Sequence, residues 1–246
     1  MIEAMLWGLG AGSSLLVGAG AVLGWPRLGE PRFVGLVMGF GAGTLISAVS
    51  LELALDGYRI GGPGAVGAGL LLGSGGYFAL DRALDRRGGA HRKHPGRGSA
   101  EAKASAITLG IVFDGIPESI AIGISLIGGK EIGLSLIGAV FLSNMPEAIG
   151  ATALLRDAGH DPRRIMIRWA AIAAISALAA GAGYALLDGA SNEVIAAFQS
   201  VAAGAILVML ADTMIPVAFE DAGPTVGLAT AAGFATAFFL STVTVG

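Results

Sequence analysis

The chain has 246 residues, of which 54% are hydrophobic and 13% charged, with a formal net charge of −3. Soluble domains carry about 25% charged residues, so this composition excludes a water-soluble globular protein and points to a polytopic α-helical membrane protein. The chain has no cysteine, which rules out disulfides, thiolate metal sites and cysteine nucleophiles, and its slight negative charge gives no basis for a nucleic-acid partner.

Eight apolar segments of about 20 residues or slightly more follow one another. They run roughly over 4–24, 33–56, 64–81, 104–128, 132–155, 165–187, 194–218 and 223–244. Proline, glycine and charge mark each break, as in GWPRLGEPR, GYRIGGPG, RDAGHDPRR and EDAGP. The start, MIEAMLWGLG, lacks a positive n-region, so the first segment reads as a retained span. The 41 glycines suit helices that pack backbone to backbone in lipid.

Basic residues set the expected orientation. Arg27 and Arg32 lie between spans one and two. Arg82, Arg86, Arg87, Arg92, Lys93, Arg97 and Lys103 lie between three and four. Arg156, Arg163, Arg164 and Arg168 lie between or border five and six. The opposite side has only Arg59 and Lys130. Both termini are therefore expected outside, with a basic cytoplasmic loop at about 82–103, all in one transmembrane domain over 1–246. Within DRRGGAHRKHPGRGSAEAK at 85–103, His91 and His94 sit among six basic side chains, which makes a poor cation site. Trp169 borders a span, where an interfacial aromatic is expected.

Spans four and five carry the chemistry. They contain FDGIPESIAIG at 113–123 and FLSNMPEAIGAT at 141–152. Each places a proline before a glutamate, Pro117-Glu118 and Pro146-Glu147, near mid-bilayer. A helix-interior proline frees the carbonyl four residues earlier, here those of Phe113 and Leu142. A carboxylate in hydrocarbon costs about 2.5–3.5 kcal/mol on insertion scales. Asp114 and Glu118 share a helix face, as do Ser143 and Glu147, with Asn144 beside them. If the two faces meet, three carboxylates, an amide and a hydroxyl share one site, with no lysine or arginine in either helix interior. A bound divalent cation resolves that repulsion, and oxygen ligands suit it. The plain alternative is a pair of proline kinks with protonated acids bonded to neighbouring helices.

Further acids extend a path. Glu52 lies toward the outer end of span two, and Asp212 precedes Pro216 in the cytoplasmic half of span seven. From outside to inside the order is Glu52, the central acids, then Asp212, a series through which a cation can step. Either acid has an alternative reading as an interfacial or helix-packing carboxylate. Glu220 and Asp221 read as solvated loop residues.

At these motifs the chain resembles the ZIP (Zrt/Irt-like) family of metal transporters. Family members carry His-Asn-x-Pro-Glu-Gly in span four and x-Asn/Asp-x-Pro-Glu in span five. These align with Asp114 to Ser119 and Ser143 to Ala148. The similarity extends to Leu72–Asp81 and to GAILVMLADTMIP in span seven. The resemblance implies an all-α membrane bundle of eight helices with both termini outside. It also implies homodimerisation, inward movement by alternating access, and a divalent metal as transported substrate rather than a cofactor: zinc, or a related ion such as iron, manganese or cadmium.

Asp114 stands where the family has histidine, Gly115 where it has asparagine, and Ser143 where it has histidine or glutamine. The family's span-six acid has no counterpart, since 175–183 offers only Ser176. The resemblance implies two adjacent metal sites, and these losses leave one, with all-oxygen ligands. It carries metal-binding roles onto Glu118, Asn144 and Glu147, and onto Asp114 and Ser143. The expected setting is the cytoplasmic (inner) membrane, multi-pass, with the lipid bilayer and the metal ion as partners. The rivals are the same fold with altered metal specificity, an ion or proton channel using the same acids, and an intramembrane enzyme using Asp114 and Glu118 as acid and base. No other nucleophile constellation or cofactor motif supports an enzyme, and none is expected.

Overall fold

The structure, a computed structural model, describes residues 1–86, 100–127 and 134–244, and His91, His94 and Lys130 lie outside the described residues. Nine α-helices form the described chain: α1 Ile2–Gly24, α2 Pro31–Ala48, α3 Asp56–Arg86, α4 Ala100–Ser125, α5 Leu134–Asp157, α6 Pro162–Leu187, α7 Asn192–Met209, α8 Ile215–Ala222 and α9 Thr225–Thr244. No strand occurs among the described residues. Two wider, π-helical turns, Val49–Leu55 and Leu210–Met214, join α2 to α3 and α7 to α8 without a break.

Six helical stretches are long and apolar enough to cross a membrane. One of them, Pro31–Ala83, has 53 residues. At about 1.5 Å per residue that is some 80 Å, far more than a hydrocarbon core of about 30 Å. It turns back at Gly62, whose φ of 73° and ψ of 179° are non-helical. The packing against α7 shows the reversal. Gly57 and Gly61 lie against Ser200 and then Ala196, moving toward the N-terminus of α7. Gly69 and Gly73 lie against Ala197 and then Val201, moving away from it. One glycine followed by Pro63 makes the turn, because that backbone region is open only to glycine.

The π-helical turns have local causes. Pro216 has no N–H to offer the Asp212 carbonyl, and its ring crowds that carbonyl, so the backbone widens over Leu210–Met214. In the other, the Ser50 hydroxyl donates to the Ile46 carbonyl at 2.7 Å and competes with the backbone ladder. Asp161 starts α6 by accepting from the Arg163 and Arg164 N–H groups at 2.9 and 3.2 Å, with Pro162 next in line. Regular helix enters the basic stretch from both sides, to Arg86 and from Ala100, because Leu84, Arg82 and Ala102 are good helix formers.

The packing partners pair off. Helix α1 lies on α6 and α5, α2 on α9, α3 on α7, and α4 on α6. Glycines make the crossings close. A methyl on Gly43 of α2 would strike the Thr230 carbonyl of α9, and one on Gly233 of α9 would strike the Phe40 carbonyl of α2. Gly73 and Gly204 answer each other between α3 and α7 in the same way. The largest apolar core gathers α2, the Val49–Leu55 turn, α5 and α7 through Leu45, Leu53, Leu136, Ile206 and Met209.

Trp169 corrects an expectation. It is fully buried, and its indole Nε1–H donates to the Thr152 hydroxyl at 2.9 Å. It packs between α1, α5 and α6 with Leu15, Leu155 and Ile165 rather than at a membrane interface. An indole fills such a gap only when its N–H finds a partner, and Thr152 of α5 supplies one.

Candidate metal centre

Helices α4 and α5 stay regular through Pro117 and Pro146. Both Pro-Glu motifs therefore keep the helical spacing that places Asp114 under Glu118 and Ser143 under Glu147. Asp114, Glu118 and Asn144 are 5%, 1% and 6% exposed, and Ser143 is fully buried. Glu147 is half-buried as a residue, yet its Oε2 is buried.

The two faces meet. Asn144 hydrogen-bonds the Glu118 carboxylate across the α4–α5 boundary. Glu118 lies within electrostatic range of both Glu147 and Asp114, and Glu147 within range of Asp114. Glu118 Oε2 and Glu147 Oε2 are buried and have no hydrogen-bond partner. Buried polar groups are nearly always paired, because leaving one unpaired costs about 1–3 kcal/mol, and more when it is charged. Glu118 and Glu147 thus present two orphaned carboxylate oxygens on facing helices. These oxygens and the amide oxygen of Asn144 are of the hard type that can hold a divalent cation.

The other predicted residues are disposed differently. Asp114 accepts a hydrogen bond at Oδ1 from the Tyr77 hydroxyl of α3. Among the described residues no three of His, Cys, Asp and Glu stand as a ready metal cage. Glu118, Glu147 and Asn144 stand together, with Asp114 alongside and bonded to Tyr77. Ser143 donates its hydroxyl hydrogen to the Val140 carbonyl at 3.0 Å, leaving oxygen lone pairs as its only offer. The Leu142 carbonyl freed by Pro146 faces Gly41 of α2, where an added methyl would come within 3.0 Å of it.

Glu52 and Asp212 both lie on the π-helical turns. Glu52, half-buried, accepts from the Leu136 backbone N–H in the first turn of α5, so it caps the helix that bears Glu147. Asp212 is exposed, off the central acids. The structure therefore joins Asp114, Glu118, Asn144 and Glu147 and leaves Glu52 and Asp212 apart on their own turns.

Tyr77 is the residue that sequence reasoning passed over. It is buried, and its ring lies 4.9 Å from that of Phe113. A signal was present: a lone tyrosine in a glycine-rich apolar run, LLLGSGGYFAL, has a hydroxyl that must find a partner in the membrane.

Comparison with known proteins agrees with the motifs. A family model described as ZIP zinc transporter matches residues 83–241. A zinc transporter ZupT of Enterobacter sp. (strain 638) is 30% identical over 225 residues, covering 84% of this chain and 85% of the relative. A zinc transporter ZupT of Salmonella heidelberg (strain SL476) is 30% identical over 234 residues, covering 89% and 88%. A zinc transporter ZupT of Salmonella paratyphi A (strain ATCC 9150 / SARB42) is 31% identical over 227 residues, covering 84% and 85%. With buried carboxylates on two proline-bearing helices and a family match over most of its length, this multi-pass membrane protein belongs to the ZIP family.

Proposed function

We propose that the protein carries divalent metal ions, zinc first among them, inward across the cytoplasmic membrane. The observation that carries this reading is the pair of buried, unpartnered oxygens on Glu118 and Glu147. The ZupT relatives are named zinc transporters, which supports zinc as cargo. The chain crosses the bilayer eight times in this reading. The reversal at Gly62 supplies two crossings from Pro31–Ala83, and α4 adds one. Both termini then lie outside, and the protein works as a homodimer.

The chain's own residues do three things. Glu118 and Glu147 supply the negative charge that replaces the hydration shell of the ion. Asn144 orients Glu118 and offers an uncharged oxygen. Glu52 holds the start of α5, so the Glu147 helix is tied to the wall formed by α2. Alternating access exposes this centre to one side and then the other.

Proteoliposome uptake of zinc and manganese tests the reading. Wild-type protein gives saturable uptake, and Glu118→Ala and Glu147→Ala each reduce it at least about 100-fold, near 2.7 kcal/mol. Unchanged uptake in both variants sinks the site. Only deprotonated carboxylates bind the ion, so protons compete with it. Uptake therefore rises with pH from acidic to neutral, and a flat profile contradicts carboxylate liganding.

A further inference from the structure

Asp114 takes a partner from outside α4 and α5. Its Oδ1 accepts from Tyr77, which α3 presents beneath the Gly73–Gly204 crossing with α7. Both residues are 5% exposed, so water does not compete for the bond. Tyr77 is held a second time by its ring against Phe113, the neighbour of Asp114 in α4. A phenol fixed at ring and hydroxyl fixes the carboxylate it touches. Hydrogen bonds to charged groups are shorter and stronger than neutral ones.

We propose that Tyr77 is a positioning residue that sets ion preference: its hydrogen bond to Asp114 Oδ1 disfavours binding of the cargo through both carboxylate oxygens at once. This rests on the metal-carrier reading given above. The chemistry follows from coordination number. An oxygen that accepts a hydrogen bond is fixed in direction and gives up part of its donor strength, so the carboxylate favours one-oxygen over two-oxygen binding. That suits zinc, which is satisfied by four close ligands. Manganese prefers six oxygens and gains from a carboxylate that offers both of its own. The Tyr77 hydroxyl thus disfavours the ion of higher coordination number. Where the family carries a histidine at this position, which offers one nitrogen, this chain has an aspartate with one oxygen hydrogen-bonded to a tyrosine.

The test is the ratio of KM for manganese to KM for zinc, measured in proteoliposomes with wild type, Tyr77→Phe, Tyr77→Leu, Asp114→Asn and Tyr77→Phe/Asp114→Asn. Tyr77→Phe keeps the ring against Phe113 and removes only the donor. It should lower the ratio about tenfold. Tyr77→Leu also lacks the donor and must move the ratio in the same direction. The double variant should match Asp114→Asn alone, since the hydroxyl acts through that carboxylate. An unmoved ratio, an equal change for both ions, or additive effects in the double variant overturns the inference. If Glu118→Ala abolishes uptake while the ratio stays put, Tyr77 alone is misassigned. If wild type takes up neither ion, the carrier reading falls, and the inference with it.

Discussion

A methyl group added to Gly43, at the α2–α9 crossing, would land on the Thr230 carbonyl; one added to Gly115, beside the acids of α4, would meet nothing within 4 Å. The two regions use glycine for opposite ends. At the crossings of α2 with α9 and α3 with α7, its absent side chain lets backbones touch, and dispersion between them holds the wall in lipid. At Gly115 itself no neighbouring element closes on the helix, although α4 is clamped to α6 two turns further on, where a methyl on Gly123 would strike the Ala180 carbonyl. The seams carry the close backbone contacts, and Gly115 is a position with room to spare.

Substitutions can break or sharpen this contrast. Gly43→Ala should have the largest effect on folding, because the obstruction is a backbone carbonyl that cannot rotate away. Overpacking of this kind costs about 3 kcal/mol or more, read as a lowered midpoint in denaturant or heat. Gly62→Ala should cost about 1–3 kcal/mol, since its backbone conformation is strained for any side chain. Glu118→Gln should move function and stability in opposite directions. It removes one of the mutually repelling buried charges, so the thermal midpoint rises while uptake is lost. A fall in both would place Glu118 in the scaffold. Gly115→Ala should have the smallest effect, a gain of about 0.5–1 kcal/mol from helix propensity, because there is room for the methyl. A loss as large as that of Gly43→Ala would erase the distinction between the regions.

Much of this was legible from the chain. Long apolar runs had to be spans, and two Pro-Glu pairs at equal depth had to be unusual, because lipid leaves no cheap place for a carboxylate. The helices at Ile2–Gly24, Pro162–Leu187 and Thr225–Thr244 follow the hydropathy closely. What escaped were pairings between distant residues. Nothing in the run around Tyr77 shows that its hydroxyl reaches Asp114, 37 positions away. Glu52 read as a step on an ion path, and its second connection lay out of sight. Its bond to the Leu136 N–H depends on where α5 begins, and that is a tertiary fact. Trp169 followed a sound rule about interfaces and broke it, because Thr152 waited on the next helix. The wider turn at Leu210–Met214 had a visible cause in Pro216, whereas the one at Val49–Leu55 has no proline and showed no mark beyond Ser50.

The reversal at Gly62 also governs what the outside world can reach. Helix continues to Gly61 and resumes at Pro63, so no free segment projects from the protein there. A reporter tag or protease site inserted at this turn has no slack chain to display it, and it must unwind one of two membrane helices to be seen. The turn between α5 and α6 exposes Gly159 and Asp161, and it too is closed by hydrogen bonds, from the His160 N–H to the Leu155 carbonyl and from the Arg163 and Arg164 N–H groups to Asp161. What the Gly62 turn offers to the outside is side chains rather than loose backbone: Tyr58, Arg59 and Pro63 are exposed, on helix that runs up to the glycine and away from it.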